Sequence, residues 1–259
     1  MIVWSETESG DITVTVPDQA RLLADLGSRF ASGQGFSVAT LNLDHVVKLK
    51  RDPVFRRAYA AHSHITADGN PIVWLSRLAG QEISLIPGSE LIEPLVALAA
   101  RYNVPVAFYG ATETALTQAA EVLKARYPGL QIAFCRSPEM GFDPDGDIAA
   151  ADMADLGTSG ARLCFIALGA PKQERLAARA QDLLPGVGFV SIGAGLNFIA
   201  GTESRAPAWV RVIAAEWIWR MLSDPKRLAR RYGACLLAMP GLTVRALRAR
   251  GTAKGRQAS

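Results

Sequence analysis

Apolar positions along this chain alternate between a helical and an extended period, and the changes of period divide it into elements. Residues 18–32 carry leucines at helical spacing (Leu22, Leu23, Leu26), opened by Asp18 directly after Pro17. Residues 36–41 are a short apolar run closing on Thr40 and Asn42, suited to a buried strand. Helical spacing returns over 46–59, divided by Pro53, and residues 64–68 read as a strand that turns at Asp68-Gly69. Helices are predicted over 72–78 and 89–102, the second with Pro94 near its first turn.

From residue 104 the alternation is regular. Strands are predicted over 104–109, 130–135, 162–168 and 187–192, and helices over 113–126, 147–156 and 173–183. Strands with continuous apolar faces, separated by helices, predict an α/β fold with a mostly parallel sheet covered on both sides. Right-handed crossovers then gather ligand sites at the C-terminal ends of the strands. The loops expected there are Gly110-Ala111-Thr112, Gly169-Ala170-Pro171-Lys172-Gln173-Glu174 and Gly193-Ala194-Gly195-Leu196-Asn197.

Beyond Asn197 the pattern turns helical over 207–222 and again over 225–232, with Ser223 or Asp224 as cap and Pro225 at the first position. The expected organisation is an α/β domain over 1–200, a helical appendage over 201–250 and a disordered tail over 251–259. No internal repeat is visible.

Composition adds limits. With 259 residues, 49% of them apolar, the chain can bury a large core. A membrane span needs roughly 20 apolar residues, and the apolar run Leu236-Leu237-Ala238-Met239 meets Pro240 and Gly241. The start lacks the basic and apolar segments of a signal peptide, so a cytoplasmic location is expected. Cys135, Cys164 and Cys235 lie far apart in apolar contexts and read as buried thiols, with no CxxC or zinc spacing.

Charge is uneven. From Arg220 onward there are ten Lys/Arg and one acid, a local +9; the whole chain carries +4, so residues 1–219 carry −5. A basic tail with Trp217, Trp219 and Tyr232 beside it admits three readings: a solvated helix face, an acidic membrane surface, or a diphosphate held by arginine forks. No nucleic-acid-binding module accompanies the charge.

Individual residues divide between chemistry and plain structure. Asp68, at a strand end, can accept a proton from a hydroxyl or simply cap its own turn ahead of Gly69. The Gly169–Glu174 segment can offer free amides to an anion or be an ordinary strand–helix turn; it lacks the P-loop pattern, and Gly193-Ala194-Gly195 falls short of GxGxxG. Asp143-Pro-Asp145-Gly-Asp147 departs from the EF-hand at its sixth and twelfth positions and reads as an acidic turn capping the next helix. His45, His62 and His64 have no metal-ligand spacing and read as structural or surface residues.

Taken in order, the segments resemble the WecG/TagA/CpsF glycosyltransferases. The resemblance is carried by Thr40-Leu-Asn42, Ala67-Asp68-Gly69, Pro87-Gly88-Ser89-Glu90-Leu91, Phe108-Tyr109-Gly110-Ala111, Leu168–Glu174 and Gly193-Ala194-Gly195. It continues through Arg205-Ala206-Pro207 and Glu216-Trp217-Ile218-Trp219-Arg220 to Pro225, Arg227, Arg230 and Arg231, covering about residues 20–232. Asn197 stands where relatives commonly carry Asp, and Glu90 where Asp is usual.

The resemblance implies a Rossmann-like catalytic domain and an inverting, metal-independent transfer with no cofactor, from a UDP-sugar to a polyprenyl-diphosphate-linked saccharide. It implies Asp68 as general base and Arg220, Arg227 and Arg230 as cations of an appendage that closes over the site. Thr40, Asn42, Gly110, Gly169, Pro171, Lys172, Gln173, Glu174, Asn197 and Arg205 are the expected substrate-binding residues. The expected setting is peripheral, on the acidic inner face of the plasma membrane, without nucleic acid; oligomeric state stays open, a homo-oligomer included. The rival classes are a nicotinamide oxidoreductase, which the absent GxGxxG disfavours, and a non-catalytic membrane-peripheral module.

Overall fold

The computed structural model describes residues 2–8, 10–203, 207, 219, 221 and 225–257. Its centre is one sheet of six parallel strands, β1 (Phe36–Leu41), β2 (His64–Ala67), β3 (Val106–Gly110), β4 (Ile132–Arg136), β5 (Leu163–Ala167) and β6 (Gly188–Ser191). Their spatial order is β2-β1-β6-β5-β3-β4. Alternate residues of each strand point to opposite faces, which divides the core. Phe36, Val38, Phe108, Phe165 and Val190 belong to one cluster. Ala39 and Leu41 join a second, and Ala107, Tyr109, Ile166 and Phe189 a third, on the other side.

The first face is covered by α1 (Gln19–Ser32), α5 (Gly88–Arg101), α6 (Glu113–Arg126) and α9 (Gly195–Ala200). The opposite face carries α2 (Leu43–Leu49), α3 (Pro53–Ala60) and α4 (Asn70–Leu78) toward β2, and α7 (Asp147–Thr158) and α8 (Lys172–Leu183) toward β5. Local chemistry sets these boundaries. Asp18 accepts from the Arg21 N–H at the start of α1, a cap worth about 1 kcal/mol, and Gly33 ends that helix with φ of 77°. Pro53 divides the predicted 46–59 helix as expected, and Asp52 caps the second piece.

The long helix α10 (Pro225–Gln257) begins at the proline expected to open it. It packs on α2 and α4, burying Leu228, Cys235, Leu242 and Ala246. Apart from residues 207, 219 and 221, the predicted 207–222 helix lies outside the described residues, as do Arg205, Arg220 and the Arg227 side chain. Helical backbone passes through Pro240 and continues over 251–257, the stretch expected to be disordered. Ala253, Lys254, Arg256 and Gln257 are strong helix formers and extend a helix already seated by its earlier turns.

Two further expectations are corrected. Cys164 and Cys235 are buried, whereas Cys135 is exposed, because β4 is an edge strand covered along only part of its surface. The 143–147 turn does not cap α7 with a carboxylate: the cap is Gly146, without a side-chain bond. Asp145 pairs with Arg175 instead, and Arg179 donates to the Pro144 and Gly146 oxygens, so α8 braces this turn.

Candidate active site

The C-terminal ends of β1, β2, β5, β6 and β3 open on one side of the sheet, and most of the expected site residues lie there. Thr40 pairs with Thr66 and Leu41 with Ala67 in register. The Asp68 N–H donates to the Leu41 oxygen at 2.7 Å, which seats Asp68 beside the end of β1. Asp68 is half-buried and is followed by Gly69 at φ of 113°, a region that favours glycine. A Cβ on Gly69 would lie 4.0 Å from the Asn42 Cβ, so the Asp68 turn and the start of α2 abut. Asn42 itself is the α2 cap, its Oδ1 accepting the His45 N–H at 3.0 Å. Thr40 is buried rather than open to the crevice, with its methyl against Gly88 at the start of α5.

That α5 start lies over the sheet edge for a steric reason. The Ile86 N–H donates to the Ala67 oxygen, and Thr66 Oγ1 donates to the Ile86 oxygen, at 2.8 and 2.9 Å. A Cβ on Gly88 would lie 2.6 Å from the Ser191 oxygen, so only glycine lets this backbone touch β6. Gly110 is similar: φ is 95°, and a Cβ would meet the Ala167 oxygen at 2.5 Å. Ala111 follows at φ of 58°, donating its N–H to that same oxygen. The ends of β3 and β5 are thereby bound together at the expected Gly110 position, two residues before Gly169.

Gln173 and Glu174, both among the expected substrate-binding residues, are 4% and 0% exposed. Gln173 Oε1 accepts from the Gly193 N–H at 2.9 Å, and its Nε2 donates to Glu174 Oε1 at 2.8 Å. They brace the crevice floor from beneath. Gly169, Pro171 and Lys172 form the turn above, where the Lys172 N–H donates to the Gly169 oxygen and the Ala170–Pro171 bond is cis. Asn197 lies in α9; its Nδ2 donates to Glu203 Oε1, and its main-chain oxygen accepts from Thr202 and Glu203. It organises the 201–203 turn.

Beneath Asp68 lies a polar cluster that sequence reasoning missed. His45 Nδ1 is 3.3 Å from Tyr59 OH, and His45 Nε2 is 3.9 Å from Glu174 Oε1. Burial pushes His45 down to about 3 and Glu174 up to about 7, so between those values neither is charged and the approach is no ion pair. Burial, with the Glu174 and Asp68 charges nearby, raises the Tyr59 hydroxyl well above its ordinary value. Asp44 and Lys48 bound this cluster, and their i, i+4 spacing on α2 was the available signal. Among the described residues no group of three or more His, Cys, Asp and Glu side chains could hold a metal ion.

A parallel sheet with its crevice at the strand ends, a carboxylate at one strand terminus and glycine-tight turns at others define a Rossmann-like α/β enzyme. The family model for the glycosyl transferase WecG/TagA/CpsF family matches residues 8–256. The chain belongs to that family and is a glycosyltransferase. It is also 28% identical over 200 residues to a Bacillus spizizenii protein named N-acetylglucosaminyldiphosphoundecaprenol N-acetyl-beta-D-mannosaminyltransferase. That match covers 76% of this chain and 75% of the relative.

Proposed function

We propose that this glycosyltransferase moves a sugar from a UDP-sugar to a polyprenyl-diphosphate-linked saccharide in surface-glycan or exopolysaccharide assembly, with inversion at the anomeric carbon. The observation that carries the reading is Asp68, half-buried at the end of β2 and abutting the Asn42 turn. The relative's name, a transfer to a diphosphoundecaprenol-linked sugar, supports the acceptor class.

In this scheme Asp68 takes the proton of the acceptor hydroxyl as that oxygen bonds to the anomeric carbon. The bond from that carbon to UDP breaks, and its electron pair leaves on the diphosphate. Charge developing there calls for fixed cations, which Arg220, Arg227 and Arg230 would supply without a metal ion. Gly110, Gly169, Pro171 and Lys172 would shape the donor side of the crevice, with Gln173 holding the turn from below, Asn197 at its far side and Arg205 as a further substrate contact. Closure of the 201–250 appendage would keep water from the glycosyl donor.

The enzyme would work peripherally on an acidic inner membrane face. Leu237 and Val244 lie two turns apart on α10, and Leu236 and Leu247 three turns apart, all exposed on the side away from buried Cys235, Leu242 and Ala246. Lys226, Arg230 and Arg248 are exposed on the same helix, a composition that suits an anionic leaflet. Among the described residues no helix is long and apolar enough to cross a membrane. Incubating the protein with labelled UDP-sugars and a short-chain lipid-diphosphate saccharide tests the reading. A longer lipid-linked product is expected; absence of transfer from every UDP-sugar, together with absence of UDP binding, would overturn it.

A further inference from the structure

Asp44 stands where three elements meet. Its carboxylate lies 2.8 Å from Lys48 Nζ and 3.2 Å from Arg231 Nε, and the side chain is only 11% exposed. Lys48 Nζ also donates to the Ala170 oxygen at 3.2 Å. A continuous polar chain therefore runs from α10, through α2, to the Gly169–Pro171 turn of the crevice. His45, one residue further along α2, lies within the field of Lys48, Asp44 and Arg231.

Apolar contact alone does not fix such a helix lengthwise. Leu228, Cys235, Leu242 and Ala246 seat α10 on α2 and α4, but ridges packed in grooves have neighbouring solutions about one turn apart. A charged pair with a largely buried carboxylate distinguishes among them, because a slipped helix leaves that carboxylate with Lys48 alone and takes Arg231 from its partner. Removing the Asp44 charge does more than delete a bond: it leaves Lys48 and Arg231 facing each other as like charges. Arg230 is the adjacent residue and Arg227 one turn earlier, so whatever fixes Arg231 fixes the lengthwise position of both.

We propose that Asp44 is a positioning residue that sets the register of α10 on α2 through Arg231 and holds the Gly169–Pro171 turn through Lys48, fixing the spacing between the appendage arginines and the donor turn. This rests on the reading of Arg227 and Arg230 as cations for the donor diphosphate. An interaction used mainly when the leaving group gains charge affects turnover more than ground-state binding.

The test uses the full chain with Asp44→Asn, Arg231→Gln, the double variant, and Arg231→Lys. Each of the first two is expected to lower kcat by roughly ten- to a hundredfold, the cost of a small misplacement. The UDP dissociation constant should stay within about twofold, since the lost contact is realised in the transition state. The double variant is expected to be no worse than the poorer single one, and Arg231→Lys to recover most of the turnover. Amide exchange over residues 228–246 should quicken in Asp44→Asn and stay slow in Arg231→Lys. Additive losses, or full turnover in both single variants while Arg230→Ala is inactive, overturn the positioning role alone. Full turnover in Arg230→Ala overturns the diphosphate reading beneath it. Should Asp44→Asn not fold, Arg231→Gln, which trims a side chain 42% exposed, carries the same comparison.

Discussion

Gln173 Oε1 accepts the Gly193 N–H at 2.9 Å, and this one bond ties the turn after β5 to the turn after β6. The amide is held in that orientation by Glu174, which accepts from its Nε2. Gln173→Ala is therefore expected to leave Gly193 without its Gln173 partner and to take one donor from Glu174. A loss of about 1–3 kcal/mol follows, read as a drop in the thermal midpoint of several degrees, with weakened UDP binding by calorimetry. An unchanged midpoint would argue that the two turns are held independently.

Asp68→Asn is expected to keep UDP affinity and the thermal midpoint close to the parent and to cut transfer roughly 10²–10⁴-fold, the contribution of a general base. Turnover near that of the parent would remove Asp68 from proton transfer.

Gly110→Ala introduces a Cβ at φ of 95° and 2.5 Å from the Ala167 oxygen. Left-handed strain costs about 1–2 kcal/mol before any clash, so β3 and β5 are expected to part at their ends. The readouts are a lower unfolding midpoint and loss of UDP binding. Gly169→Ala serves as the contrast, since a Cβ there meets no atom within 4 Å.

Stability is expected to depend on pH through two opposed groups. Glu174 titrates at about 7 when folded and near 4.5 when unfolded. The folded state thus keeps a proton that the unfolded state loses, and stability falls as pH rises from about 4.5 to 7. His45 and His62, lowered by burial to about 3 and 4 from 6.5, act the other way: stability falls as pH drops below 6.5. Between about pH 5 and 7 the histidine contributions rise with pH while that of Glu174 falls, so Glu174→Gln, which removes only the falling contribution, should gain on the parent as pH rises through that window. A difference between the variant and parent midpoints that stays constant from about pH 5 to 7.5 would contradict a protonated buried Glu174.

Replacing Leu237 and Val244 together by Glu is expected to reduce sedimentation with anionic vesicles severalfold while leaving transfer to a soluble acceptor intact. Binding to neutral vesicles by the parent should already be weak. Equal sedimentation of parent and variant would place the membrane contact elsewhere.

Much of this architecture is legible in the sequence. The helix at 18–32, the break at Pro53 and the opening of α10 at Pro225 follow from caps and prolines, which act within a few residues. The alternation after residue 104 is likewise local. What stayed hidden depends on distant neighbours. Cys135 has the apolar context of a core residue, yet among the described residues β4 ends the strand order. Glu174 belongs to a turn that looks exposed in sequence, yet α8 drives it beneath Tyr59 and His45. Trp4 is fully buried although the described residues of 2–16 hold little regular structure beyond the Ser5–Ile12 bridge, so periodicity had nothing to register there.

The same early segment bears on the far end of the chain. Arg245 Nη1 donates to the Val3 and Trp4 oxygens at 3.0 and 3.3 Å, while Leu242 and Ala246 join the core cluster that holds Ile2 and Trp4. Of the distal arginines that charge alone would assign to lipid, this one is committed to main-chain oxygens. The first few residues thus act as a wedge under α10, and trimming them would loosen a helix whose other end carries Arg227 and Arg230. Strain applied at one terminus would be felt where the donor diphosphate is expected to leave.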